Sequence, residues 1–108
     1  MKLIELVKIF REDIPFETFC VNNSLNVDSE VIEIFMEKPL NINNELAFFE
    51  IEKTEGKTEY QSEGILYSNL FDFFFFQDAI EESKLEHNKS MNNYELTKKL
   101  FRYAIKDS

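Results

Sequence analysis

The sequence predicts a mainly α (α+β) fold, namely a compact, single-domain helical assembly with one central antiparallel β-hairpin. Apolar residues recur at helical spacing near both ends of the chain, and residues 47–52 alternate between apolar and polar side chains. Only two glycines and two prolines interrupt the 108 residues. Because 44% of the residues are hydrophobic and the length leaves room for one core, we expect one globular domain, residues 1–108.

The first two elements are predicted to be helices. Asp13 can cap the second of them and Pro15 suits its first turn, so a short helix is expected over residues 14–22. The first helix, over about the first twelve residues, carries an apolar stripe at i, i+3, i+4 and i+7, namely Leu3, Leu6, Val7 and Phe10. The second helix would bury Phe16, Phe19 and Cys20.

Residues 29–37 fit two structures. They follow helical spacing behind a capping residue, Asp28 or Ser29, and end before Pro39. They also alternate as a strand would, with Ile32, Ile34 and Met36 opposite Glu33, Phe35 and Glu37. The cap and the helix-stopping proline favour a helix, and a strand is the alternative.

The clearest strand pattern lies in the middle of the chain. Residues 47–52 alternate, Thr54 to Lys57 supply a turn that contains Gly56, and a returning strand is expected from about Thr58 to Ser62. Gly64 would mark the end of that strand or a bulge. These segments form the predicted hairpin.

Two further helices complete the prediction. Ser68 or Asn69 can cap a long helix that ends near Glu86. The phenylalanines of residues 71–76 are expected in the core, and the alternative is that Phe75 or Phe76 reaches a secondary surface. The last helix is expected over residues 92–106, with its lysines and its arginine crowded toward the carboxyl end, where the helix dipole favours positive charge.

The sequence offers no constellation of catalytic residues. The single histidine, His87, and the single cysteine, Cys20, cannot form a zinc set, and Cys20 lies among apolar residues that disfavour a thiolate. Gly56 and Gly64 are too far apart for a phosphate-binding loop. We therefore expect a binding protein with no enzymatic activity, no cofactor and no metal.

Charge is the most informative bulk property. The net charge is −9, and residues 28–82 alone hold fourteen acidic and three basic residues. Such a field repels nucleic acid and anionic membranes and attracts a basic protein partner. The acidic residues predicted to contact that partner are Glu33, Glu37, Glu50, Glu52, Glu55, Glu59, Glu63, Asp72 and Asp78.

The amino-terminal residues carry no apolar stretch typical of a signal peptide, and no segment has the length and hydrophobicity of a membrane span. A cytoplasmic location is therefore expected.

In its length, its acidity, the acidic segment Ile51-Glu52-Lys53-Thr54-Glu55-Gly56 and the excess of acids from Asp28 to Glu82, the chain resembles the immunity proteins of bacterial contact-dependent growth inhibition and related polymorphic toxin systems. That resemblance implies tight binding of a cognate toxin domain in the cytoplasm. The toxin would be a nuclease, whose active site is basic because it holds nucleic acid.

Two other functions fit an acidic domain of this size. One is a nucleic-acid mimic, such as a phage inhibitor of restriction or CRISPR enzymes. The other is a non-catalytic adaptor subunit. The balance of three acids against six bases in residues 83–108 disfavours the mimic, because a duplex mimic should avoid a basic end.

Overall fold

The computed structural model describes residues 1–85 and 90–106, which form five helices and four strands. The chain combines these helices with a sheet in which every strand pair is antiparallel, so the protein belongs to the α+β class. The helices are α1 (Leu3–Arg11), α2 (Phe16–Asn22), α3 (Ile51–Thr54), α4 (Phe73–Ser83) and α5 (Asn93–Lys106). The strands are β1 (Ile32–Glu37), β2 (Leu46–Glu50), β3 (Glu59–Ser62) and β4 (Ile65–Asp72).

The strands form one antiparallel sheet in the order β2-β1-β4-β3. Residues 38–45, which include the cis peptide bond Lys38–Pro39, connect β1 to β2. A two-residue turn, Glu63-Gly64, connects β3 to β4, with φ of 51° and 83° at its two residues. Positive φ at both central residues is typical of the tight turn whose twist matches that of a hairpin.

One face of the sheet is covered by the helices. The apolar stripes of α1, α4 and α5 pack on side chains of β1 and β4 in a single hydrophobic core. Phenylalanine rings connect these layers, because Phe73 contacts Phe10, Phe16, Phe19 and Phe48 at centroid distances of 5.0–6.0 Å. This core stabilises the helical layer on the sheet.

The opposite face is concave. Phe49 lies on the edge strand β2, and Tyr60 lies on the other edge strand, β3, yet their ring centroids are 4.9 Å apart. Neighbouring strands of a flat sheet lie about 4.8 Å apart, so the edges of a flat four-stranded sheet would be too distant for this contact. The sheet therefore curls into a half-barrel, and a β-bulge between β1 and β4 accompanies the curl.

The predicted mainly α fold with one hairpin is wrong. Residues 32–37 form the central strand β1, not a helix, because both faces of this segment are buried. Ile34 and Met36 face the helices, while Phe35, with 0% of its surface exposed, faces the concave side. The strand that the alternation of residues 32–37 allowed as the alternative is therefore the observed structure, and the capping residue and Pro39 that favoured a helix do not decide it.

The predicted pairing of residues 47–52 with residues 58–62 is also wrong. Strands β2 and β3 are opposite edges of the sheet, and the segment between them forms the short helix α3, which ends at Glu55 in the left-handed conformation. The observed hairpins join β1 to β2 and β3 to β4. Gly64 lies in the turn of the second hairpin, where a positive φ is required.

The predicted long helix from Ser68 or Asn69 is replaced by a strand followed by a shorter helix. Asp72 ends β4 and caps α4, because its side-chain Oδ1 accepts a hydrogen bond of 2.8 Å from the backbone N–H of Phe75. Phe73 and Phe76 are buried, and the exposed ring is Phe74, at 61%, which was not among the rings expected as candidates for the surface. The predicted end of this helix near Glu86 lies outside the described residues.

The predicted positions of α1, α2 and α5 are confirmed. Helix α1 buries the four residues of its predicted stripe, and α2 buries Phe19 and Cys20 but only partly buries Phe16. The predicted burial of the Cys20 thiol is therefore also confirmed. The predicted cap of α2 is wrong, because Pro15 occupies the cap position without a side-chain hydrogen bond and Asp13 lies in the preceding turn with φ of 64°. Helix α5 runs to Lys106 and buries Leu96, Leu100 and Ala104. These amphipathic helices have one clear apolar stripe each, which is the pattern a sequence displays most directly.

Candidate partner-binding face

The curl of the sheet brings aromatic rings and carboxylates together on the side away from the helices. We call this surface the concave face; the side chains that define it are Glu33, Phe35, Glu37, Phe49, Tyr60, Tyr67 and Asn69. The ring of Phe49 is central, because its centroid lies 5.3 Å from that of Phe35 and 5.6 Å from that of Tyr67. Phe49, Tyr60 and Tyr67 are each only partly buried, so they form a wall that a partner can contact.

Glu33 is the buried polar group of the concave face, with 6% of its surface exposed. Its Oε1 accepts a hydrogen bond of 2.6 Å from the Thr54 hydroxyl, and its Oε2 accepts one of 2.8 Å from the Asn69 amide. A buried carboxylate is costly unless its oxygens are bonded in this way. The Glu33 side chain therefore fixes α3 and β4 relative to β1.

Glu37 and Glu63 are the carboxylates whose charges act on Tyr67. Burial raises the pKa of Tyr67, and the charges of Glu37 and Glu63 raise that pKa further. Glu37 lies directly opposite Tyr67 in the register of β1 and β4, and Glu63 lies in the turn after β3. Within residues 1–85 and 90–106, neither carboxylate forms an ion pair.

A second group of carboxylates lies where the loop before β1 meets α3. We call Asp28, Glu30, Glu50 and Glu52 the acidic corner. Glu52 accepts hydrogen bonds from the Ser29 hydroxyl at 2.6 Å and from the backbone N–H of Glu30 at 3.2 Å, and these bonds lower its pKa. Glu50 accepts a hydrogen bond of 2.9 Å from the Asn26 backbone N–H and pairs with Lys53 at 3.2 Å.

The structure separates the predicted contact residues into several groups. Glu33 and Glu37 lie on the concave face, while Glu50 and Glu52 lie in the acidic corner. Glu55 and Glu63 are exposed residues in turns, Glu59 pairs with Lys38, Asp72 caps α4, and Asp78 is exposed on that helix.

Sequence reasoning missed the aromatic members of the concave face. The predicted hairpin carries Phe49 on one strand and Tyr60 on the other, and it does not include Tyr67. A detectable signal was the two-residue pattern Glu63-Gly64 between two runs rich in strand-forming residues. Reading that turn as a hairpin would have paired Tyr60 with Tyr67, as the structure does.

The surface of the described residues also has hollows, of which one lies among the helices and another shares Asn69 with the concave face. An apolar groove between α4 and α5, with a volume of about 160 Å³, is lined by Phe75, Ala79, Leu96 and Tyr103 among others. A larger and more polar hollow of about 530 Å³ lies between the end of α5 and the strands, lined by Glu59, Ser68, Asn69, Leu70 and Ala104 among others. In the described part of the chain, neither hollow contains a set of groups arranged for catalysis.

The described residues include no cluster of three or more histidine, cysteine, aspartate or glutamate side chains that could hold a metal ion. Burial raises the pKa of the Cys20 thiol, and the charges of Glu17 and Glu50 raise it further, so this thiol resists ionisation. His87 lies outside the described residues. Among the helices of residues 1–85 and 90–106, none combines the length and apolar character needed to cross a membrane.

Comparison of the chain with protein-family models, with curated proteins and with solved structures finds no match in any of the three.

Proposed function

We propose that this protein is an immunity protein, which binds a basic toxin domain in the cytoplasm and neutralises it through an acidic surface. The cognate toxin is a nuclease, since an enzyme that holds nucleic acid needs a cationic active site. The protein acts by occupying the toxin and performs no chemistry of its own.

The observation that carries the proposal is the small number of ion pairs that the predicted contact residues form within the described part of the chain. Among the predicted contact residues, only Glu50 and Glu59 form ion pairs with lysines within residues 1–85 and 90–106. The net charge of −9 is thus largely available to attract a cationic surface. Electrostatic attraction of this kind accelerates association and selects the correct partner.

The direct test is protection of growing cells. Co-expression of the chain with the toxin domain encoded beside its gene should restore growth, and the purified pair should form a stable complex. A complex that leaves the toxin fully active, or a lack of any complex, would refute neutralisation.

A charge-reversal pair shows whether the concave side makes the contact. Glu37→Lys with Glu63→Lys should slow association with the toxin by on the order of tenfold or more at low salt. The matched control is Glu12→Lys with Glu17→Lys, which changes the net charge equally on exposed sites of the helical layer. Equal slowing by both pairs would mean that only the total charge matters.

A further inference from the structure

The concave face has the composition of a site for a cation. Its strand positions carry Glu33 and Glu37 and no lysine or arginine. The tyrosines Tyr60 and Tyr67 contact Phe49 at interplanar angles of 62° and 68°, which are edge-to-face arrangements. Within the described ranges, neither tyrosine is stacked face to face on another ring.

A contrasting aromatic pair lies on the helical side. Phe75 stacks on Tyr103 with centroids 4.3 Å apart and planes inclined by 15°. The faces of those two rings already cover each other. Among the described residues, no aromatic ring is stacked on Tyr60 or Tyr67, and both side chains are partly exposed, which leaves room for a planar group from another molecule.

We propose that the concave face receives an arginine side chain of the basic partner, with its guanidinium against the ring of Tyr67 and within reach of the Glu37 and Glu63 carboxylates. This inference rests on the proposed function, because it names the chemistry of the contact through which that partner is held. A guanidinium fits better than an ammonium, since it is planar, stacks on aromatic rings and donates paired hydrogen bonds to carboxylates.

The position of the carboxylates supports this geometry. Glu37 faces Tyr67 across the strand pair, and both Glu37 and Glu63 act on the Tyr67 hydroxyl through their charges. Glu33 has both carboxylate oxygens occupied by Thr54 and Asn69, so it contributes negative potential and no direct bond. Partly exposed aromatic rings with charges around them are typical of the central residues of protein interfaces.

The test uses the full chain, with N-acetyl-arginine methylamide as the probe and NMR of the aromatic side chains as the readout. The ring signals of Tyr60, Tyr67 and Phe49 should shift in a saturable way at millimolar probe concentrations, as expected for one cation–π contact with an ion pair. The citrulline analogue is nearly isosteric and uncharged, and it should bind at least about threefold more weakly.

Variants locate the site. The double variant Glu37→Gln, Glu63→Gln should bind the arginine probe about threefold or more weakly. The double variant Glu12→Gln, Glu17→Gln should bind it with unchanged affinity. Tyr67→Phe keeps the ring and should retain binding. Equal binding of the citrulline analogue, or shifts that are largest at Tyr103, would overturn the inference.

The outcome separates this inference from the proposed function. If the toxin is neutralised but the arginine probe leaves the rings of the concave face unperturbed, the site assignment fails and the immunity function stands. If the probe binds as described but the toxin remains active in the complex, the arginine site stands and the immunity function fails.

Discussion

The two faces of the sheet are both rich in phenylalanine and tyrosine, yet they are stabilised in different ways. The helical side buries its rings in a core in which Phe73, Phe76 and Ile80 are almost fully covered. The concave side brings together partly exposed rings and a buried carboxylate that is held by two neutral hydrogen-bond donors. Burial of apolar side chains therefore dominates the stability of the helical side, and hydrogen bonds between polar groups contribute a larger share of the stability on the concave side.

That difference suggests separate roles for the two faces of the sheet. The helical side, with its interlocking aromatic rings, supplies most of the buried apolar side chains of the described residues. The concave face is then free to keep rings and charges accessible, which a face that had to supply the main core could not do. The following predictions compare the two sides directly.

The largest expected effect is loss of a central ring on the helical side. Phe73→Ala should lower the free energy of unfolding by about 3–5 kcal/mol, because the Phe73 ring contacts several other rings and its removal leaves a large cavity. Phe49→Ala should cost only about 1–2 kcal/mol, because the Phe49 side chain is partly exposed. Urea denaturation measures both values.

Phe73→Leu is the milder version for the case in which the alanine variant does not fold. It should still cost more than Phe49→Leu. Equal losses at the two positions would show that the concave face is as much a core as the helical side.

The second effect concerns the buried carboxylate. Glu33→Ala should cost about 2–3 kcal/mol, because the Thr54 hydroxyl and the Asn69 amide lose a charged acceptor. Thr54→Val removes one donor and should cost about 1 kcal/mol. A double-mutant cycle by urea denaturation should give a clear coupling between Glu33 and Thr54, and additive losses would contradict the hydrogen-bonded arrangement.

The helical side and the concave face also differ in how well the sequence predicts their elements. The helix α1 has an apolar stripe with a polar opposite face, and its position was predicted correctly. Strand β1 is buried on both sides, and its Glu33 is paired with neutral groups that lie 21 and 36 residues away along the chain. No local pattern contains such pairings, so the capping residue and Pro39 favour a helix over the strand that the alternation of β1 also allows.

The candidate site was only partly visible for the same reason. The acidic residues themselves can be counted in the sequence, and Glu37 and Glu63 were among those predicted to contact the partner. Their position beside Tyr67 depends on the β4 register and on the curl of the sheet. Both are consequences of long-range pairing, which periodicity does not determine.

The third effect concerns the turn that positions the curled hairpin. Gly64 has φ of 83°, so Gly64→Ala should cost about 1 kcal/mol through backbone strain, although no neighbouring atom lies within 4 Å of the added methyl group. Glu63→Asn forms the favourable Asn-Gly turn and should preserve or slightly raise the stability. Thermal unfolding measures both variants.

The Glu63→Asn variant also separates folding from recognition. It should keep the hairpin and still bind the arginine probe more weakly, because it removes one of the two charges that act on Tyr67. A variant that is well folded and binds the probe as the natural chain does would remove Glu63 from the site while leaving the turn assignment intact.

The smallest effect is a titration shift at the acidic corner, near the loop that precedes β1. The hydrogen bond from the Ser29 hydroxyl is the main cause of the lowered pKa of Glu52, followed by the backbone N–H groups of Glu52 and Glu30. Ser29→Ala should therefore raise the pKa of Glu52 toward its ordinary value, as measured by NMR titration of the side-chain carboxyl. Because the pKa is lower in the folded state, the bond stabilises the fold above the ordinary glutamate pKa, and this contribution disappears as the pH falls through the folded value. Glu45, whose pKa is lowered by the amino-terminal ammonium group of Met1, serves as the internal control and should titrate unchanged. If Ser29→Ala leaves Glu52 unchanged as well, the Ser29 bond contributes nothing to that carboxylate, and the loop before β1 is held to α3 by its backbone contacts alone.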